Sequence, residues 1–82
     1  MHDELTLDRI EIGARARVVK LTAHGSMRRR LLDIGIVAGA PIECIGAAPS
    51  GSPRAYLIRG AVIAIRKADS RDIVVEVLGE ES

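Results

Sequence analysis

Few side chains in this 82-residue sequence could do covalent chemistry, and their spacing works against it. Nucleophilic catalysis needs a nucleophile, a base within hydrogen-bond reach and a group that orients the base. The one candidate pair is Cys44 with His24. Cys44 alternates with Ile42 in a stretch that reads as a strand, where a lone cysteine serves as a small, inert hydrophobe. A closed zinc site typically wants four ligands, with Cys and His in close pairs. His2, His24, Cys44 and scattered carboxylates offer no CxxC and no HxxxH. No functional metal site and no cofactor are therefore expected. Adventitious binding at His2-Asp3-Glu4, bridging two molecules, is the most these ligands suggest. Gly51-Ser52-Pro53 lacks the lysine and the glycine spacing of a phosphate-binding loop, and no helix start follows it. The chain is not expected to be an enzyme.

The cations are more informative. Arg28-Arg29-Arg30 follows Ser26, a plausible N-cap, which would put three arginines in the first turn of a helix. There the positive end of the helix dipole disfavours each by about a few tenths of a kcal/mol. Asp33 is on the wrong side too, although Arg29 and Asp33 can pair weakly at i, i+4. Local stability does not dictate such an arrangement. One reading is a docking surface for an acidic partner, with arginine giving bidentate contacts to carboxylate or phosphate. The other is a solvated outer face whose aliphatic stems shield the core. Arg54, Arg59 and Arg66 add positive charge near a hairpin that carries Tyr56, the only aromatic residue. Nucleic-acid binding is the alternative they raise, but a net charge of +1 and the lack of further stacking residues count against it. The candidate partner-binding residues are Arg28, Arg29, Arg30, Leu32, Arg54 and Tyr56.

The elements that must position these residues follow from periodicity. Leu5 to Gly13 reads as a short capped turn, with Leu5, Leu7, Ile10 and Ile12 covering one end of a core. Ala14 to Leu21 alternates, Arg15 and Arg17 one way, Ala14, Ala16 and Val18 the other, as in a half-buried strand. Met27, Leu31 and Ile34 recur at i, i+4 and i+7, with Leu32 at the flank, and Gly35 stands where a left-handed residue would end a helix. Gly39 can supply a positive φ at the next turn. Ile42 to Ala47 is a second strand and 48–53 a loop. Ala55 to Ile58 and Ala61 to Arg66 flank Arg59-Gly60 as a hairpin. Lys67 to Asp72 reads as a charged turn. Ile73 to Leu78 closes the core as a strand with Ile73, Val75 and Val77 inward, and Gly79 to Ser82 reads as a frayed acidic tail. The result is a mainly β fold: a small SH3-like barrel of about five strands with one short helix inserted after the first strand. An open α+β sandwich is the fallback.

Composition agrees. Eighty-two residues make one domain, with 48% hydrophobic and 28% charged residues, a soluble globular profile. One cysteine excludes an internal disulfide and suits a reduced, intracellular setting. Met1-His2-Asp3-Glu4 is polar and acidic where a signal peptide is basic and then apolar, and no apolar run nears the roughly 20 residues of a membrane span. A cytoplasmic location is expected.

The ordered set Arg29-Arg30-Leu31-Leu32-Asp33-Ile34-Gly35-Ile36, Gly39, Ala48-Pro49, Gly51, Pro53, Gly60 and Ile63-Ala64-Ile65-Arg66 resembles the FeoA family, small cytoplasmic components of bacterial ferrous iron uptake systems. The resemblance runs from about Leu5 to Val77 and implies a single FeoA-type domain over 1–82, with its core at about 5–78. Similar SH3-like modules form the C-terminal domain of iron-dependent repressors. Ala38 stands where the family often has Pro, and Ser52 where it often has Asp. The resemblance implies a partner, the FeoB permease with its cytoplasmic GTP-binding domain, which this chain would bind and modulate. It leaves room for a third small Feo component and for weak self-association. Membrane contact would come through the partner only, and no nucleic acid is involved. The alternative is a metal-sensing or nucleic-acid-binding module related to the repressor domains.

Overall fold

The alternation of Ala14–Leu21 becomes strand β1, Arg15–Leu21, in a computed structural model that describes residues 4–78. Arg15 and Arg17 face solvent, while Ala16 and Val18 are buried. Helix α1, Gly25–Asp33, follows. Then come β2, Pro41–Ala47, and the hairpin of β3, Arg54–Ile58, and β4, Ala61–Ile65. A one-turn helix α2, Lys67–Ser70, replaces the expected charged turn, and β5 is Ile73–Val77. The strands form one antiparallel sheet in the order β4-β3-β2-β1-β5. This is the SH3-like fold expected, with register irregularities at Val18/Lys20 and Cys44/Gly46 that bend β1 and β2. The His2-Asp3 end and the Gly79–Ser82 tail lie outside the described residues.

Two turns show local chemistry at work. Arg59 and Gly60 both have positive φ, 54° and 81°, the pattern of a two-residue hairpin whose twist matches its strands. Gly35 has φ 103°. Its N–H donates to the Leu32 carbonyl and that of Ile36 to the Leu31 carbonyl, both at 3.0 Å, the paired bonds of a Schellman stop. Leu31 and Ile36, which flank the stop, are both buried, so the helix end is also an apolar contact. At the other end α1 begins at Gly25, so its N-cap is His24 rather than Ser26, and no side chain caps it.

The core is aliphatic apart from Tyr56 and Cys44. Its end is closed by a 3-10 turn, Leu7–Arg9, which buries Leu7 fully and brings Ile10 in behind it. Ile12 departs from the expected cover: it is exposed, beyond the turn. The same segment covers β5. The Val75 N–H donates to the Leu5 carbonyl at 2.9 Å and Thr6 bridges to Val74. Ile73, Val74 and Val75 are therefore all buried, whereas Val77, expected inside, runs past this cover and is exposed.

Arg54 and Tyr56, expected among the partner-binding residues, hold the turn in place. Tyr56 is 0% exposed, its ring in the core and its hydroxyl directed at the Leu7 carbonyl, 3.5 Å away. Half-buried Arg54 sends its guanidinium to the Ile10 carbonyl, with Cys44 Sγ at 3.8 Å. β3 alternation puts both on the inner side, where they act as a latch rather than a surface.

Two outcomes follow. Gly35→Ala should lower stability by at least about 1–2 kcal/mol in chemical denaturation, because an L side chain is strained at this φ. Its Cβ would also meet Arg59 Cδ at 3.3 Å, whereas Gly46→Ala, with open space around it, should be near neutral. The second outcome concerns Tyr56, the only tyrosine in a chain without tryptophan, so tyrosinate absorbance reports it alone. Burial pushes its phenol above the ordinary value; Cys44 adds to this and Arg54 opposes it. The unfolded phenol ionises near pH 10 while the folded one still holds its proton. This contribution to stability is thus complete below about pH 10 and is lost as pH rises through the folded value. Tyr56 should titrate later than free tyrosine and report unfolding at alkaline pH. Titration at or below the free value would contradict the burial.

Candidate docking site

Helical spacing divides the arginine run. At about 3.6 residues per turn, positions 25, 28, 29, 32 and 33 share one stripe. Gly25, Arg28, Arg29, Leu32 and Asp33 together line a shallow depression of about 400 Å³ on the outer side of α1. Arg30 is exposed but belongs to the neighbouring flank and does not line it. The opposite side of α1 anchors it, through buried Leu31 and half-buried Met27. Leu32 is 38% exposed, an apolar centre between charged neighbours.

These cations are electrostatically free. Among the described residues, the ion pairs are Arg17–Glu76 at 3.7 Å and Lys20–Glu4 at 2.9 Å, and neither involves α1. The weak Arg29–Asp33 pair expected at i, i+4 does not form. Arg28 reaches back to the Leu21 carbonyl at 3.5 Å, a marginal contact that leaves most of its donors open. With the helix starting at Gly25, Arg28 closes its first turn and only Arg29 and Arg30 lie beyond it, so the dipole penalty is left mainly on Arg28. An arginine pair astride a leucine fits a carboxylate-bearing surface with an apolar spot at its centre.

Arg54 and Tyr56 lie on β3 and do not join this face. Arg54 instead edges a separate cleft with Asp8, Gly51, Ile65, Lys67 and Ser70. Cys44 is buried, its thiol against the Gly46 carbonyl at 3.8 Å, far from a nucleophile's exposure. Among the described residues no group of three or more His, Cys, Asp or Glu is arranged to hold a metal ion. No helix among them is long and apolar enough to cross a membrane.

Comparison with known proteins extends this picture. The FeoA domain profile matches residues 5–77. A curated relative from Porphyromonas gingivalis, an Fe(2+) transport protein A/Fe(2+) transporter FeoB fusion protein, is 28% identical over 78 residues. That match takes in 95% of this chain and only 9% of the relative. The solved FeoA-like protein of Clostridium acetobutylicum superposes with a TM-score of 0.87 at 36% identity, covering 100% of this chain and 95% of that one. Two more distant likenesses show the fold alone. One is a zinc-complexed FeoA of Stenotrophomonas maltophilia described as an SH3-domain protein (TM-score 0.79, 24% identity, 88% and 89% covered). The other is a manganese-dependent transcriptional repressor (TM-score 0.83, 19% identity, 95% and 38% covered). With its profile matched over nearly the whole length and its barrel shared with solved members, the chain belongs to the FeoA family.

Proposed function

We propose that this protein is a non-catalytic, cytoplasmic accessory component of a ferrous iron uptake system. It docks the Arg28–Arg29–Leu32 face of α1 on the cytoplasmic part of a FeoB-type, GTP-dependent permease and modulates its activity. The observation that carries this reading is the P. gingivalis relative, in which a segment similar to this chain belongs to one polypeptide with a FeoB transporter. Covalent linkage makes sense for two modules that meet, because it replaces a bimolecular encounter by a local one. The unpaired arginines supply the second half of the argument, since engaging them breaks no existing ion pair among the described residues. A metal-sensing or nucleic-acid-binding role, suggested by the repressor likeness, has only the fold behind it, and fold does not carry function.

The test is a titration of the full chain against the solubilised permease, with and without GTP, at low and moderate salt. Saturable binding that weakens with salt is expected. Arg28→Glu with Arg29→Glu should weaken it at least about tenfold. Arg30→Glu, off the stripe, should do less. None of these should lower thermal stability measurably, because the replaced side chains are exposed and unpaired. Binding unaffected by reversal of Arg28 and Arg29, or no binding in any nucleotide state, would overturn the proposal.

A further inference from the structure

The sheet has two edges, and the fold treats them differently. The β5 edge is covered: Leu5 and Thr6 lie along it and take up backbone bonds at Val75 and Val74. The β4 edge is not. β4 pairs only with β3, in the register Ala61↔Ile58, Val62↔Leu57, Ile63↔Tyr56, Ala64↔Ala55 and Ile65↔Arg54. In a two-residue hairpin the pair that closes the turn, here Ile58 and Ala61, is hydrogen-bonded, and hydrogen-bonded pairs alternate from there. Ala61, Ile63 and Ile65 therefore spend their backbone groups on β3, while Val62 and Ala64 aim theirs outward.

Exposed edges are normally blunted by a charge, a proline or a bulge. Ala61–Ile65 contains none of these, and Val62, at 63%, is the most exposed large hydrophobic side chain among the described residues. Val62 and Ala64 share the outer face with Leu57 and Ala55, so an added strand would find apolar neighbours beside its backbone partners. The ends of the strand are cationic. Arg59 precedes it and Arg66 and Lys67 follow; all three are exposed, and none forms an ion pair among the described residues.

We infer that the β4 edge is a second interaction surface, which accepts an extended partner segment as an added antiparallel strand. That segment carries apolar residues opposite Val62 and Ala64 and carboxylates at its ends, facing Arg59 and Arg66–Lys67. A second copy of this chain is opposed by charge in the register that pairs both outward residues. Setting Val62 opposite a second copy's Ala64 also sets Arg59 opposite its Lys67 at both ends, and like charges directly opposed are destabilising. The surface is independent of the α1 face, and neither needs the other.

The experiment uses the labelled full chain and a peptide probe, Glu-Glu-Val-Thr-Val-Thr-Val-Glu-Glu, followed by amide NMR. Saturable shifts should centre on Ala61–Ile65, with exchange of the Val62 and Ala64 amides slowed about tenfold or more on binding. The same probe with Lys for Glu should bind at least about tenfold more weakly, with the difference shrinking in salt. Val62→Pro removes an edge donor that β3 does not use, so it should abolish binding while leaving the hairpin signals in place. A probe methylated on its central backbone nitrogens tests the same bonds without altering the protein, and should not bind. Equal binding of the two charge forms, shifts centred elsewhere, or binding of the methylated probe would overturn the inference. So would movement of the Ala61–Ile65 signals with protein concentration alone, which would assign the edge to a second copy.

Discussion

The burial of Leu7 and Ile10 in the end of the barrel is the contact on which the rest of this structure depends. A chain this short buries only about 60% of the surface it exposes when unfolded, so it has little apolar area to spare. With a single aromatic in the core, each aliphatic side chain counts for more. The turn at Leu7–Arg9 adds two core residues and, through Leu5 and Thr6, also seals the outer flank of β5. A 3-10 turn has too few internal bonds to hold itself. It is held by side chains on β3: the Arg54 guanidinium on the Ile10 carbonyl and the Tyr56 hydroxyl facing the Leu7 carbonyl. A bond from a charged donor is worth about 1.5–3 kcal/mol, a large share of what so small a domain can have.

That latch also explains which side chains are left for a partner. Tyr56 is committed to the interior and the half-buried Arg54 guanidinium to the turn, although their types alone would suggest a binding surface. Helix α1 is the opposite case. Leu31 is its one fully buried side chain, and its position is fixed largely by the Schellman stop at Gly35 and the packing of Ile36 behind it. The helix therefore lends the core one ridge and gives the rest of its circumference to solvent. Because the arginines form no ion pair among the described residues and only Arg28 makes a marginal backbone contact, their identity is largely free to answer to an external partner.

What could be read from the sequence was what is local. Alternation located β1, the i, i+4, i+7 spacing located α1, Gly35 marked its end and Arg59-Gly60 marked the hairpin, since each depends on residues within about two turns or one strand of each other. The latch could not be read this way, because Arg54 and Tyr56 meet partners 44 and 49 positions away. Val74 is a further case: alternation puts it outside, yet it is buried on the strand that Leu5–Thr6 returns to flank. Within the candidate site, the arginine run and Leu32 were visible, but the division that admits Arg28 and Arg29 and leaves Arg30 aside required the helix phase. The start of α1 is the smallest error and has the largest consequence. Moving the cap from Ser26 to His24 carries Arg29 and Arg30 beyond the first turn and leaves Arg28 at its end, so most of the dipole strain expected of the run is removed.

The distribution of charge gives the composition a different meaning. A net charge of +1 suggests a surface with no electrostatic preference. In the fold, carboxylates meet cations on one side, where Glu76 and Glu4 pair with Arg17 and Lys20 of β1. The cations of α1 and of the β3–β4 hairpin are left without carboxylate partners among the described residues. Beyond a Debye length, about 8 Å at physiological salt, a partner senses little of either arrangement. Closer than that it meets local charge rather than the sum. A nearly neutral domain can thus present two cationic surfaces at short range without the long-range attraction to polyanions that a strongly basic protein carries. Nucleic acid rewards extended positive charge, whereas these patches are small and set around apolar centres, Leu32 in one and Val62 in the other.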